Sequence, residues 1–407
     1  MRVNFPQNGW KGSLRQFTSS FSWNDKAVLN IDGAGRWISI IDHGRTYRRT
    51  LDGSWMVIQR SNKKKIRERI QLSAEMKSDL YVIIRTYATS LSETFKAQIP
   101  EFSFEENDPL QHQSYQSFLE RIIDLMLRDP AELDIKDKKA YDSVYVHVEI
   151  LPPDRYGSLV LQATEGCSYN KCTFCDFYRT TKYHKKSPIE FQNHVGAVRK
   201  FIGDSLGRFH SVFLGDANAL TLPQSDLRAI FKIIHESFDM TKENSAPGQI
   251  IKEKVCLAGI YSFLDAFTGH KKSAEEFEEL AKQDLRMVYL GIESGSQELL
   301  KFLKKPNKWN ETLETVRNLQ EGSIKIAAIV LIGAGGEMFT EGHIADTIDL
   351  LKEMKLSGND IVYFSKLYAD GTSDYLRDMI NENISPLSEY QMDEQIKNIR
   401  KGVLEAY

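Results

Sequence analysis

From about residue 156 onward the chain alternates short apolar runs with stretches of helical periodicity. The runs lie at 159–163, 211–214, 254–258, 286–290, 326–332 and 360–364. Between them, apolar residues spaced by three and four predict helices near 188–202, 226–238, 274–282, 297–303 and 344–354. Near-continuous apolar strands joined by amphipathic helices indicate a parallel sheet with helices outside. Six units suit a partial barrel rather than a closed eight-unit one. The expected fold class is therefore α/β, a partial (β/α)6 TIM-type barrel over residues 156–370. In such folds ligand chemistry collects at the C-terminal ends of the strands.

The first 155 residues follow a different rhythm. Alternation at 37–42, 46–51 and 55–60 predicts a meander, with Asp52-Gly53 as a favourable hairpin turn. Helices are expected near 73–96 and 114–127. The second carries Phe118, Ile122, Leu125 and Met126 on one face and stops at Asp129-Pro130. Residues 1–155 thus read as an N-terminal α+β domain with a lid or substrate role, and 371–407 as a mainly helical tail. There is no internal repeat beyond the strand–helix alternation and no low-complexity segment.

Composition narrows the class without deciding it. Hydrophobic residues make up 41% and charged residues 27%, as in an ordinary globular protein. A net charge of −3 argues against wholesale nucleic-acid binding. No apolar run approaches the ~18 residues that cross a bilayer, and Met1-Arg-Val-Asn-Phe-Pro6 lacks the apolar core of a signal peptide. The expectation is a cytoplasmic protein without membrane contact, in reducing surroundings that keep thiols free.

Of four cysteines in the chain, Cys167, Cys172 and Cys175 fall within nine positions, directly after the first apolar run. Three clustered thiolates can hold three irons of a [4Fe–4S] cube and leave the fourth iron open. An open position is what separates a catalytic metal site from a structural one. A structural zinc is the competing reading, with His184, nine residues past Cys175, as its fourth ligand. A disulfide would leave one cysteine of the three unpaired.

A cysteine triplet after the first strand of a six-unit partial barrel resembles the radical S-adenosylmethionine (SAM) superfamily. The family's usual spacing places three residues between the first two cysteines. This chain has four, 168–171, and then Thr173-Phe174 before the third, a CX4CX2C motif. The resemblance implies that the three cysteines bind a [4Fe–4S] cluster and that the main chain at Phe174 contacts the adenine of SAM. It aligns Asp216, Ala217 and Asn218 with the turn that grips the methionine amino group, implying a contact from Asp216 or Asn218. A polar strand-end turn is the plain alternative for either residue. The run 290–297, followed by Leu299, Leu300, Leu303 and Lys304-Lys305-Pro306, resembles the branch containing oxygen-independent coproporphyrinogen oxidase and the methylthiotransferases. By that likeness Glu293 reaches the ribose hydroxyls with Ser294 nearby, and Lys305 meets the SAM carboxylate. A zwitterionic amino acid needs one anionic and one cationic partner, so the pairing makes physical sense. Segment 329–337 resembles the fifth-strand motif that presents an apolar wall and backbone to adenine, here Ile332 and Gly333. It lacks the Lys-Ser/Thr of a phosphate-binding loop. His343 is read as the start of the next helix, in a capping or packing role. Tyr363 and Ser365 are read as facing the barrel interior, within reach of substrate.

The implied activity is that of a radical SAM enzyme. One electron cleaves a carbon–sulfur bond of SAM, normally yielding a 5′-deoxyadenosyl radical that abstracts hydrogen from substrate. The implied partners are a small-molecule or nucleotide substrate and an external one-electron donor of flavodoxin or ferredoxin type. Cys256, expected inside the third strand, reads as a buried thiol, which leaves no second cluster. Asp42-His43-Gly44 is too compressed for a cobalamin-binding Asp-x-His-x-x-Gly. Between Arg45 and Arg69 stand nine Lys/Arg against two acids, Asp52 and Glu68, with Tyr47 and Trp55 interleaved. That segment is either a solvated hairpin or a phosphate-binding patch for a nucleotide or tRNA, with aromatics for base stacking. Two other functional readings stand beside the enzyme: a cluster- and SAM-binding carrier or chaperone, and a zinc-bound nucleic-acid-binding module.

Overall fold

The structure is a computed structural model and describes residues 1–60, 67–104, 115–146, 148, 150–240, 250–251, 254–368 and 373–405. The chain divides into two compact units, Met1–His147 with Gly196–Phe209, and Val148–Val195 with His210–Tyr407.

The first unit is built on a nine-stranded antiparallel meander. Its strands are β1 Arg2–Phe5, β2 Trp10–Leu14, β3 Thr18–Trp23, β4 Ala27–Asp32, β5 Trp37–Asp42, β6 Arg45–Arg49, β7 Trp55–Arg60 and β8 Arg67–Gln71; helix α1, Ala74–Ala97, leads to β9 Glu101–Ser103 beside β1. Helices α2, Tyr115–Met126, and α3, Pro130–Asp142, follow. One register row, Val3, Phe21, Leu29, Ile40, Tyr47 and Val57, is buried, and Leu80, Ile84, Ala88 and Leu91 of α1 belong to the same core. The adjacent row on the other face reads Arg2, Ser13, Ser20, Asn30, Ser39 and Arg48. Strands β1 to β4 were not expected, because their outward positions are polar and small, so no apolar run announces them. The turn at Asp52-Gly53 is as expected: Gly53 takes φ +80, and the Asp52 carboxylate accepts from the Ser54 N–H at 3.0 Å. Pro130 does end α2, but it also opens α3, with the Asp129 side chain capping the Ala131 and Glu132 N–H groups.

The second unit is an α/β partial barrel. Strand β10, Ser158–Gln162, is followed by the short pair β11 Thr164–Glu165 and β12 His184–Lys185, helix α4 Pro188–Ile202, β13 Ser211–Gly215 and α5 Gln224–Ser237. Three short strands, β14 Asp239–Met240, β15 Ile250–Ile251 and β16 Lys254–Leu257, form a separate small sheet. Then come β17 Ile260–Asp265, α6 Ala266–Gly269, α7 Ala274–Lys282, β18 Leu285–Glu293, α8 Gln297–Phe302 and α9 Trp309–Glu321. β19 Lys325–Ile332, α10 Gly336–Glu353 and β20 Ile361–Lys366 complete the barrel, and α11 Asp374–Asn381 and α12 Glu389–Leu404 form a helical end. The sheet order is β10-β13-β17-β18-β19-β20, all parallel.

Three expectations need correction here. The third barrel strand is Ile260–Asp265, not 254–258; the chain passes from one sheet to the other through Gly259, at φ +132. Cys256 is buried as expected, but in the small sheet rather than the barrel. His343 does not open a helix. It lies in the second turn of α10, fully buried.

Side chains divide by strand face. Those turned toward the helices, such as Leu161, Leu214, Ser262, Leu290 and Ala328, have no accessible surface. On the opposite parity Val160, Tyr261, Phe263, Gly291, Ile329 and Tyr363 stay half-exposed around the barrel interior.

Candidate active site

The cysteine loop runs from β11 to β12, at the C-terminal end of the first barrel strand. Its entry is held by Asp216, whose buried carboxylate accepts from Gly166 N–H at 3.2 Å and from the Gln162 amide at 3.3 Å. Its middle is fastened by backbone bonds on both sides of Thr173. Thr173 N–H donates to Leu303 O at 3.1 Å after α8, and Tyr375 N–H donates to Thr173 O at 3.1 Å from α11. Tyr169 adds a hydroxyl bond to Lys304 O at 2.6 Å.

The three thiols face a common electrostatic environment. Burial pushes Cys172 up to about 12 and Cys175 up to about 11, and it raises Cys167 as well, with Lys305 pulling against burial in all three cases. As free side chains they are therefore neutral thiols near pH 7, and a metal must displace their protons to bind. Cys167 Sγ accepts the Asn170 N–H at 3.3 Å, the kind of donor that stabilises a bound thiolate.

The opposite wall is an ion-pair group at the strand ends. Lys305 Nζ is buried, 3.0 Å from Glu293 Oε1 and 3.4 Å from Asp265 Oδ1, and 5.7 Å from the centre of the Phe267 ring. Burial alone would lower its pKa, but the two carboxylates hold it above the ordinary lysine value. The local backbone explains how Glu293 gets there. A register shift separates Gly291 from Glu293 where β18 meets β19, and Glu293 takes the left-handed conformation at φ +60. Such a conformation in a non-glycine residue costs about 1 kcal/mol and marks a position built for a purpose. The Asn307 amide donates to the Gly291 and Ile292 carbonyls at 3.2 Å each, bracing the bulge. Gly291 leaves the necessary room: a Cβ there would lie 2.7 Å from Glu293 Oε1 and 3.2 Å from Lys305 Nζ.

Asp265 was not singled out from the sequence. It is tied into the group by Lys305 and by Asn218, both of which were. The Asn218 side-chain oxygen accepts Asp265 N–H at 2.9 Å, and its amide donates to the Asp265 carboxylate. Asn218 therefore orients the acid next to Lys305. Asp216 is raised to about 7 by burial, which leaves much of it uncharged near neutrality. Phe174 packs with Leu299, Leu303, Leu331 and Tyr375. Ile332 is buried, and Gly333 N–H is taken by the Gln395 side chain at 2.8 Å. Tyr363 turns into the barrel, 6.1 Å from the Tyr289 ring, and its hydroxyl engages Asp154; Ser365 is exposed on the same parity of β20.

Ser294 is held from α10. Its hydroxyl lies 2.7 Å from His343 Nδ1 and accepts Ser296 N–H at 3.0 Å. Burial lowers the His343 pKa from 6.5 to about 4, so the folded state keeps the ring neutral while the unfolded chain protonates it below about 6.5. The stability that His343 adds is thus present above pH 6.5 and is lost as pH falls toward 4. Urea unfolding of wild type and His343→Gln at pH 7.5 and pH 4 should show the gap between them shrinking by about 3 kcal/mol. A gap independent of pH would show that the ring does not titrate in this way.

Among the described residues of the basic segment, the two aromatics are not placed for base stacking. Tyr47 and Trp55 lie on the buried face of the meander, and Trp55 Nε1 donates to Asp134 at 2.9 Å, so neither ring is free to stack. Arg49 is buried in ion pairs with Asp134 at 2.6 Å and Asp137 at 2.9 Å. Arg45 and Arg48 are exposed, while Lys63, Lys64 and Lys65 lie outside the described residues.

Three thiols on one loop are the number a cube with one open iron uses, whereas a structural zinc asks for a fourth ligand. Four ligands at about 2.0–2.3 Å from one zinc must crowd together. Among the described residues no three His, Cys, Asp or Glu side chains converge in that way. His184 instead pairs with Glu190 at 3.2 Å, both exposed. A cationic group beside two anionic ones also suits a zwitterionic ligand.

A scan of protein families matches residues 161–351 to the radical SAM superfamily. No curated protein sequence matches the chain. Among solved structures, coproporphyrinogen III oxidase (HemN) from Escherichia coli is similar at 12% identity and a TM-score of 0.44, covering 62% of this chain and 54% of its own. The cobalamin-dependent radical enzyme OxsB is similar at 13% identity and a TM-score of 0.42, covering 56% and 36%. Methylornithine synthase (PylB) is similar at 14% identity and a TM-score of 0.38, covering 72% and 75%. The chain thus spans about a third to a half of the length of OxsB and HemN. Among the described residues no helix is long and apolar enough to cross a membrane.

Proposed function

We propose that the chain, whose residues 161–351 match the radical SAM superfamily, acts as an enzyme of that superfamily, that Cys167, Cys172 and Cys175 hold a [4Fe–4S] cluster and that the strand ends opposite them bind SAM. When bound, cluster and SAM supply one-electron cleavage of a carbon–sulfur bond and hence a radical able to take hydrogen from a substrate. What the chain contributes is binding, orientation and exclusion. Lys305 offers a cation to the SAM carboxylate, and Glu293, freed from part of its pairing, turns to the ribose hydroxyls with Ser294 beside it. Asp265, aimed by Asn218, supplies an anion for the methionine amino group. Asp216 acts one layer back, fixing the start of the cysteine loop. Phe174, Ile332 and Gly333 form the wall for adenine. Tyr363, Ser365 and the half-exposed interior positions face the substrate, which reaches the barrel from its open end. The N-terminal unit takes a lid or substrate role, and the electron comes from an external donor. The observation that carries the reading is the buried Lys305 between Glu293 and Asp265, in electrostatic contact with all three cysteines.

The test is anaerobic reconstitution with iron and sulfide, then SAM and dithionite, with the nucleoside product identified. About four irons per chain and reductive loss of SAM are expected. Zinc in place of iron, or a cluster that leaves SAM intact, would overturn the proposal. A cluster that binds SAM without cleaving it would move the protein to a carrier role.

A further inference from the structure

Four residues separate Cys167 from Cys172, and the chain must turn back within them for both thiols to face one volume. Asn170 makes that turn. It takes φ +46, a left-handed conformation that asparagine tolerates better than most residues. Three of its polar groups are engaged. Its N–H donates to Cys167 Sγ at 3.3 Å, its side-chain amide donates to Tyr178 O at 2.7 Å, and its carbonyl accepts from Arg179 Nη1 at 2.7 Å. The other terminal nitrogen of Arg179 donates to Cys172 O. One guanidinium therefore joins the carbonyls on either side of Lys171. Its planar fork fixes their separation in a way a single ammonium cannot. Asp176 and Asp374, at 3.8 and 3.7 Å, hold the guanidinium in place from outside the turn.

We infer that Asn170 and Arg179 are positioning residues that set the distance between the Cys167 and Cys172 thiols and so let the four-residue spacing present them to one cluster. The inference rests on the cluster reading above. Without Arg179 the Asn170 carbonyl loses this donor and Cys172 O keeps only the Cys175 N–H at 3.3 Å, so nothing ties the two carbonyls across Lys171 and the turn opens. With Asn170 replaced by a β-branched residue, the left-handed turn is strained and the N–H no longer points at sulfur.

The experiment compares reconstituted wild type, Arg179→Ala, Arg179→Lys, Asn170→Val and Asn170→Gly. The readouts are iron per chain, cluster lifetime against an iron chelator and the EPR signal of the reduced cluster, with far-UV circular dichroism as a fold control. Arg179→Ala and Asn170→Val are expected to lose the cluster roughly ten-fold faster and to shift the EPR signal, at wild-type secondary structure. Arg179→Lys should fall in between, and Asn170→Gly, which permits the same φ, should stay near wild type. If Arg179→Ala keeps the wild-type lifetime and EPR signal, the brace is overturned. If Arg179→Ala does not fold, the Asn170 pair decides: equal lifetimes for Val and Gly overturn the inference. A wild type that takes up no iron removes the cluster reading itself, and the brace with it.

Discussion

Replacing Lys305 with methionine is expected to lower stability by about 3–5 kcal/mol and weaken SAM binding on the order of 100-fold or more. Methionine keeps the length and apolar stem of lysine, so packing around Phe267 survives. What disappears is the charge between Glu293 and Asp265, both at bonding distance from Nζ. Two carboxylates are then left facing each other with no cation, and at least one must take a proton or swing out. The double variant Lys305→Met/Glu293→Gln separates the two losses. It should recover most of the stability, because Asp265 still has Asn218, and none of the affinity. Chemical denaturation and equilibrium dialysis of SAM against reconstituted protein measure them. If Lys305→Met binds SAM within ten-fold of wild type, the lysine is structural and the carboxylate contact lies elsewhere.

Cys172→Ala should be more drastic for activity and milder for the fold. A cube held at two corners is labile, so iron should fall from about four per chain to a small remainder and reductive SAM cleavage to background. Secondary structure should not change, because the loop is tied down through the Thr173 backbone and Tyr169 rather than through sulfur. Cys256→Ala is the matching control. That thiol is buried in the small sheet, so its loss should cost about 1 kcal/mol of stability and no iron. Equal iron loss in both variants would mean that reconstitution reports general thiol chemistry, not a site.

These outcomes turn on residues of very different visibility in the sequence. The cysteines, Glu293 and Lys305 stand in short dense motifs, and the structure gathers their charges in one place. Asp265 was hidden because an acid at a strand end is common on surfaces. The signal that could have exposed it is that successive strand ends carry Asn218, Asp265 and Glu293. The third barrel strand was missed for a related reason. Its interior-facing and helix-facing residues differ in character, Tyr261, Phe263 and Asp265 against Ile260, Ser262 and Leu264, so it lacks the unbroken apolar run that drew attention to 254–258. Helix α9 escaped because it buries Thr312 and Thr315 where an apolar stripe would be sought. Their hydroxyls are satisfied by the carbonyls of Lys308 and Glu311 at 3.0 and 2.8 Å. The small residues on one face of the nine-stranded sheet masked four strands in the same way. In each case polar or small residues broke the apolar pattern of an element that is nonetheless part of a packed core.

The division of the barrel strands into sealed and half-open faces has a consequence for laboratory evolution. Side chains that clamp the sheet to its helices and side chains that line its interior alternate along the same few strands, yet they answer to different constraints. The first set has no free surface, and almost any change there disturbs packing. The second, including Val160, Tyr261, Phe263, Ile329 and Tyr363, keeps part of its surface free, so changes there should disturb packing less. A library randomised at those five positions should therefore stay largely folded and cluster-loaded while its members diverge in the molecules they accept. Such a library would let the scaffold be retargeted even before its native substrate is known.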